Sequence, residues 1–116
     1  MLKKILVLYV PALHQGYISF FERQRYNVEA IYIFGQELVE ELVFLGKEIR
    51  AMDPCLVASL IFATGFFKKV EVLDKSKLLE VRGQNIITAD EGISRRLVEH
   101  YLNGCKVEYD SVFLRW

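Results

Sequence analysis

One short stretch near the N-terminus carries the residue types and spacing that suit binding of a small charged ligand. It is Pro11–Tyr17, which contains His14 and Gly16 and directly follows the apolar run Ile5–Val10. A continuous apolar run ended by proline is typical of a strand that is covered on both faces of a parallel sheet. Because such sheets bind ligands at the carboxyl ends of their strands, we expect the loop around His14 to form a ligand site.

The two cysteines, Cys55 and Cys105, indicate neither a disulfide framework nor a four-thiolate zinc site, since both would need more cysteines. Neither has a histidine at ligand spacing, so the sequence predicts no metal site. We expect both cysteines to be small buried apolar residues in a protein with reduced thiols.

Composition narrows the class of protein. The chain has 116 residues, of which 53% are hydrophobic, so we expect one folded domain spanning residues 1–116. Fifteen basic residues balance fifteen acidic ones, and the missing basic excess argues against a nucleic-acid partner. The most apolar later stretch, residues 55–67, carries no formal charge but is too short to cross a bilayer, which takes about 20 residues. We therefore expect a soluble cytoplasmic protein without a membrane partner.

The hydrophobic pattern alternates strands with helices, and this order predicts a mainly parallel sheet with helices on both faces. The predicted fold class is α/β, a three-layer Rossmann-like sandwich with a mainly parallel five-stranded sheet. The predicted strands are Ile5–Val10, Val28–Phe34, Val70–Leu73 and Asn85–Ala89, with terminal strand segments at Lys106–Tyr109 and Val112–Trp116. The predicted helices are Tyr17–Arg25, Gln36–Gly46, Asp53–Ala63 and a last helix that begins at Asp90 or Glu91 and ends at Asn103-Gly104.

The third predicted helix is unusual because it is apolar all round. Asp53 and Pro54 provide a strong start, as N-cap and first helical residue. A helix without a polar face is either deeply buried or lies at a subunit interface. We therefore expect a homo-oligomer as one way to cover this helix.

His14-Gln15-Gly16-Tyr17 resembles the His-x-Gly-His motif of the nucleotidyltransferase superfamily, the cytidylyltransferase-like α/β fold. The resemblance implies that His14 contacts a nucleotide triphosphate, and that Gly16 lets the backbone approach it at a helix N-terminus. Tyr17 stands where the second histidine belongs. Loss of such a transition-state donor costs about 100- to 1000-fold in rate in other enzymes, so the motif is expected to bind better than it catalyses.

A second stretch resembles the C-terminal Ile-Ser-Ser-Thr-x-Ile-Arg signature of the same superfamily. Ser94 matches it, whereas Arg95 and Arg96 replace the second serine and the threonine. The resemblance implies that Ser94, Arg95 and Arg96 lie at the nucleotide site, with the two arginines supplying positive charge. The alternative is that the arginines are a solvated face of the last helix.

A longer set of residues resembles the N-terminal domain that precedes a zinc deaminase domain in deoxycytidylate-deaminase-like proteins. The matching segments are Tyr9–Tyr17, Glu48–Ala51 and Phe113–Trp116. The His-x-Glu and Pro-Cys-x-x-Cys motifs of zinc deaminases are missing, because no second cysteine follows Pro54-Cys55 at that spacing. The resemblance implies that zinc and its domain would follow Trp116, and that this chain is the N-terminal part of a longer protein.

Three hypotheses follow. The first is a non-catalytic nucleotide-binding or regulatory domain that holds a deaminase partner or forms an oligomer. The second is an active nucleotidyltransferase that uses Mg²⁺ to transfer a nucleotidyl group to a phosphorylated acceptor. The third is a Rossmann-like adaptor without a ligand, in which His14 only caps a helix and Tyr17 only packs.

Overall fold

A computed structural model of the chain describes residues 4–35, 38, 52–81, 84–88, 100–101, 103–104 and, for the backbone only, 109–111. Within these residues the strands are β1 (Lys4–Leu8), β2 (Val28–Phe34), β3 (Lys69–Leu73), β4 (Ile86–Thr88) and β5 (Tyr109–Ser111). The helices are α1 (Gln15–Gln24), α2 (Pro54–Ala63) and α3 (Lys75–Glu80), and helical backbone is also found at Leu38 and around Tyr101.

Four strands, in the order β3-β2-β1-β4, form an all-parallel sheet, and β5 adds a parallel strand beyond β4. In this register Leu6 of β1 lies between Ile31 of β2 and Ile87 of β4. The chain first builds the sheet from β1 toward β3 and then returns to add β4 on the other side of β1. The strand order therefore reverses between β1 and β4.

Both faces of the sheet carry a buried apolar layer, because the strands alternate their side chains between two covered faces. The helices α1 and α2 cover one face, and α3 covers the other together with Leu38 and Tyr101. Tyr101 donates a hydrogen bond to the carbonyl oxygen of Leu38 at 2.9 Å, which ties these two helical segments together. The chain is thus an α/β protein with a Rossmann-like arrangement of strands and helices.

The ends of the helices follow from their capping residues. Asp53 accepts a hydrogen bond from the backbone N–H of Cys55 at 3.0 Å, and Pro54 occupies the first turn, as the sequence predicted. The prediction for α1 was wrong by two residues, because His14 is the N-cap and the helix begins at Gln15 and not at Tyr17. Gly16 is thus the second helical residue, although glycine has a low helix propensity.

Three further predictions need correction. The helix α3 was not predicted, since it is short and buries only Leu78. Cys55 is exposed and not buried, because it lies on the outer side of α2. The strand β5 covers 109–111, so it shares only Tyr109 with the two predicted terminal segments. Most of the predicted helices Gln36–Gly46 and 90–104 lies outside the described residues, although Leu38, His100, Tyr101, Asn103 and Gly104 are helical.

Among the described residues, no helix is long and apolar enough to span a membrane.

Candidate functional site

The carboxyl ends of β1 and β4 form the point at which the strand order reverses. Chain segments that leave two neighbouring strands at such a point diverge toward opposite faces of the sheet, which opens a crevice. The loop from Tyr9 to His14 lies at this point, since it leaves β1 and enters α1. The sequence therefore placed its main candidate residue, His14, at the topologically favoured edge.

His14 is exposed and serves as the N-cap of α1. Its Nδ1 accepts a hydrogen bond from the backbone N–H of Gly16 at 3.0 Å, and its carbonyl oxygen accepts from the N–H of Ile18 at 3.2 Å. Because Nδ1 is an acceptor, the ring proton of the neutral imidazole lies on Nε2, which is then a donor. One imidazole thus satisfies a helix N–H and presents a donor atom at the same helix end.

Tyr17, which stands where the superfamily has its second histidine, is a core residue. Its side chain is only 6% exposed and packs against Phe20 and Phe21 under the sheet. Its ring centroid lies 4.7 Å from that of His14 and 6.1 Å from that of Phe21. The neighbouring rings of Phe21 and Tyr17 therefore hold the His14 imidazole at the N-terminus of α1, and Tyr17 contributes to the site by packing.

The start of α2 lies against the same loop. The backbone N–H of Met52 donates to the carbonyl oxygen of Pro11 at 2.7 Å, so two helix N-termini meet at this edge of the sheet. The N-terminus of α2 is capped by the carboxylate of Asp53, whereas that of α1 is capped by an imidazole. An anion would therefore be favoured at α1 and disfavoured at α2.

Sequence reasoning missed Thr88. It is the last residue of β4, follows Ile87, which pairs with Leu6 of β1, and is only 2% exposed. Apart from tyrosines, it is also the one polar residue among the buried residues of the described part of the chain. The sequence indicates Thr88 only as a hydroxyl residue that ends the apolar run Ile86-Ile87, at the end of the predicted strand where parallel sheets bind ligands.

The second predicted cluster, Ser94, Arg95 and Arg96, lies outside the described residues, so the structure does not test its place at the site. The topology constrains only where that segment begins. The chain leaves β4 after Thr88 at the same edge as the loop that follows β1. A group of three His, Cys, Asp or Glu side chains suited to a metal ion does not occur among the described residues.

The sequence matches no known family, and no curated protein is significantly similar to it. Its fold is similar to a crystal structure described as the lipopolysaccharide core biosynthesis protein of Thermoplasma volcanium GSS1. The match has a TM-score of 0.62 and 15% sequence identity, and it covers 99% of this chain and 97% of the other. None of these comparisons connects the chain with a deaminase. At this identity the likeness shows the Rossmann-like α/β fold with its parallel sheet.

Proposed function

We propose that this chain is a non-catalytic nucleotide-binding domain with a nucleotidyltransferase-like fold, and that the phosphate groups of the nucleotide bind at the N-terminus of α1. The observation that carries the proposal is the position of His14. It caps the first helix at the point where the strand order reverses, which is where the superfamily places its first motif histidine.

The proposed phosphate contact uses two groups. The Nε2 atom of His14 would donate to a phosphate oxygen, while Nδ1 keeps its hydrogen bond to Gly16. The backbone N–H groups of the first turn of α1 add positive potential at the same place. The loop from Tyr9 to Leu13 contains no charged residue, so on this side the site depends on the imidazole and the helix terminus. Ser94, Arg95 and Arg96 would supply the remaining contacts from the segment that follows β4.

The absence of a second motif histidine argues for binding and against catalysis. A tyrosine side chain cannot carry a positive charge and offers only one hydroxyl hydrogen. The Tyr17 ring is also buried in the core, where its packing with Phe21 holds it. A site that binds phosphate without stabilising the charge that develops during transfer suits a sensor. The resemblance to the N-terminal domain of deoxycytidylate-deaminase-like proteins suggests that the partner of such a sensor is a following zinc deaminase domain.

The binding experiment is a thermal-shift titration with ATP, CTP, dCTP and dCMP, each with and without Mg²⁺. A ligand present at about a hundred times its dissociation constant should stabilise the chain by about 2.7 kcal/mol. The variant His14→Asn is the informative one, because asparagine keeps an N-cap but removes Nε2. His100→Asn is the matched control, since His100 is an exposed helical histidine outside this loop.

We expect a thermal shift of similar size in the native chain and in His100→Asn, and the loss of most of that shift in His14→Asn. No shift with any of the four nucleotides would overturn the proposal. A shift of equal size in His14→Asn would place the nucleotide elsewhere on the chain.

The exposed imidazole also leaves room for the enzymatic alternative, in which the chain transfers a nucleotidyl group. Mg²⁺ in such enzymes is bound largely through the substrate phosphates, so a cluster of protein ligands is not required. Release of pyrophosphate from CTP or ATP in the presence of phosphorylated acceptors would show catalysis. Binding without release supports the sensor.

A further inference from the structure

The strand β3 ends the sheet on the side away from β4. Within the described part of the chain it pairs with β2 alone, so its second row of backbone N–H and C=O groups faces outward. Such an edge is a template for pairing with another strand. Its side chains alternate regularly, since Lys69 and Glu71 lie on the face covered by α3, whereas Val70 and Val72 lie on the face covered by α2.

The charges on this edge are complementary to a second copy of the same edge. In an antiparallel pair of two β3 strands centred on Val70, Lys69 of each copy lies directly opposite Glu71 of the other. Pairing centred on Glu71 would instead oppose two carboxylates, which is destabilising. Opposite charges directly across a ladder stabilise it, so the side chains select one register. The chain also pairs Lys69 with Glu71 internally at 3.7 Å, and Lys77 with Glu71 at 3.5 Å.

The other face of the same edge is apolar. The helix α2 packs on β3 and leaves three large apolar side chains exposed: Leu56 at 49%, Leu60 at 42% and Phe62 at 55%. A twofold axis perpendicular to the sheet keeps each face on its own side. The two α2 helices would therefore lie on the same face of the joined sheet, beside the seam. Val70 of one copy would then meet Val70 of the other beneath them.

We propose that two copies of this chain form a dimer through antiparallel pairing of their β3 edges, centred on Val70. The charge pattern of the β3 edge determines the register. The chain has no charged residue between Asp53 and Lys68, so the surface of α2 suits a partner that is also uncharged there. This interface lies on the β3 side of the sheet and is independent of nucleotide binding at α1.

The test uses two charge reversals, Lys69→Glu and Glu71→Lys. Each alone places like charges opposite each other at both symmetric positions, so we expect the dissociation constant of the dimer to rise about tenfold or more. When the two variants are mixed, every opposed pair is again Lys with Glu. Sedimentation velocity should show dimers in the native chain and in the mixture, and monomers in each variant alone. Glu29→Lys, an exposed reversal on β2, should leave the dimer intact.

A symmetric crosslink tests the register separately. Val70→Cys faces its own copy across the axis and should form a disulfide-linked dimer on mild oxidation, whereas Val72→Cys faces residue 68 and should not. The native chain, with Cys55 and Cys105, controls for other disulfides.

A native chain that stays monomeric at millimolar concentration would overturn the proposal, and so would charge variants that dimerise as well alone as when mixed. Circular dichroism of each variant shows that loss of the dimer is not loss of the fold.

Discussion

Nδ1 of His14 lies 3.0 Å from the backbone nitrogen of Gly16 and accepts its hydrogen, so the candidate ligand residue is also the N-cap of α1. The two roles use different ring atoms. Capping uses Nδ1, whereas the proposed phosphate contact uses Nε2. A substitution that removes the whole side chain therefore mixes an effect on folding with an effect on binding.

The capping role predicts different stabilities for two variants of His14. His14→Ala leaves the N–H of Gly16 without its acceptor and should lower the free energy of unfolding by about 0.5–2 kcal/mol. His14→Asn supplies a side-chain oxygen at the same position and should change the free energy of unfolding by only about a few tenths of a kcal/mol. Urea denaturation followed by circular dichroism measures both. Equal losses in the two variants would show that the hydrogen bond to Gly16 contributes little.

The packing role of Tyr17 predicts a large loss of stability in Tyr17→Ala. Its ring is 6% exposed and contacts Phe21 and His14, so truncation should cost about 3–5 kcal/mol, as for other buried aromatic residues. Tyr26→Ala is the matched control, because Tyr26 is 82% exposed just beyond the same helix. That control should change the free energy of unfolding by less than about 1 kcal/mol. Similar losses from the two substitutions would contradict a core position for Tyr17.

The parts of the fold that the sequence predicted best are those set by local physics. The limits of β2 at Val28 and Phe34 follow from an apolar run that only Glu29 interrupts and that Gly35 ends. The start of α2 follows from an aspartate before a proline. By contrast, α3 has fewer than two turns and one buried residue, Leu78, so its pattern carried too little periodicity to be recognised.

The candidate site was only half predictable for a different reason. The loop around His14 could be found because a histidine and a glycine follow a buried strand. Thr88 reaches the same edge because β4 lies beside β1. This pairing joins segments that are distant in the sequence, so no local sequence pattern predicts it. The exposure of Cys55 likewise depends on which side of an all-apolar helix meets the sheet, and a helix without a polar face gives no indication of that side.

The N-cap of α3 predicts a component of acid sensitivity. The pKa of Asp74 is lowered by its hydrogen bonds from the backbone N–H of Lys77 at 2.8 Å and the hydroxyl of Ser76 at 2.7 Å. A carboxyl group with a lowered pKa in the folded chain adds stability above its unfolded pKa of about 3.9 and loses it as pH falls through the lower folded value. Asp74→Asn keeps a capping oxygen without the titration. The urea midpoints of the native chain and of Asp74→Asn should therefore converge as pH falls from about 6 toward 2. A difference that does not vary with pH would contradict this role.

The close approach of Gly35, which follows β2, to Val72 and Leu73 of β3 predicts that Gly35→Ala destabilises the chain. A Cβ at Gly35 would lie 2.6 Å from Cγ1 of Val72 and 3.0 Å from the carbonyl oxygen of Leu73, which already accepts the N–H of Gly35 at 2.9 Å. A β-branched side chain on a strand cannot rotate away freely, so the loss should be about 1–3 kcal/mol. Val72→Ala in the same chain should recover part of the lost stability but not all of it, since the contact with the carbonyl oxygen remains.

Gly104→Ala is the control, because that glycine is helical with open space around it, and alanine there should stabilise the chain by about 0.5–1 kcal/mol. Denaturation of the single and double variants measures the coupling between positions 35 and 72, and a coupling near zero would show that the backbone shifts to admit the methyl group.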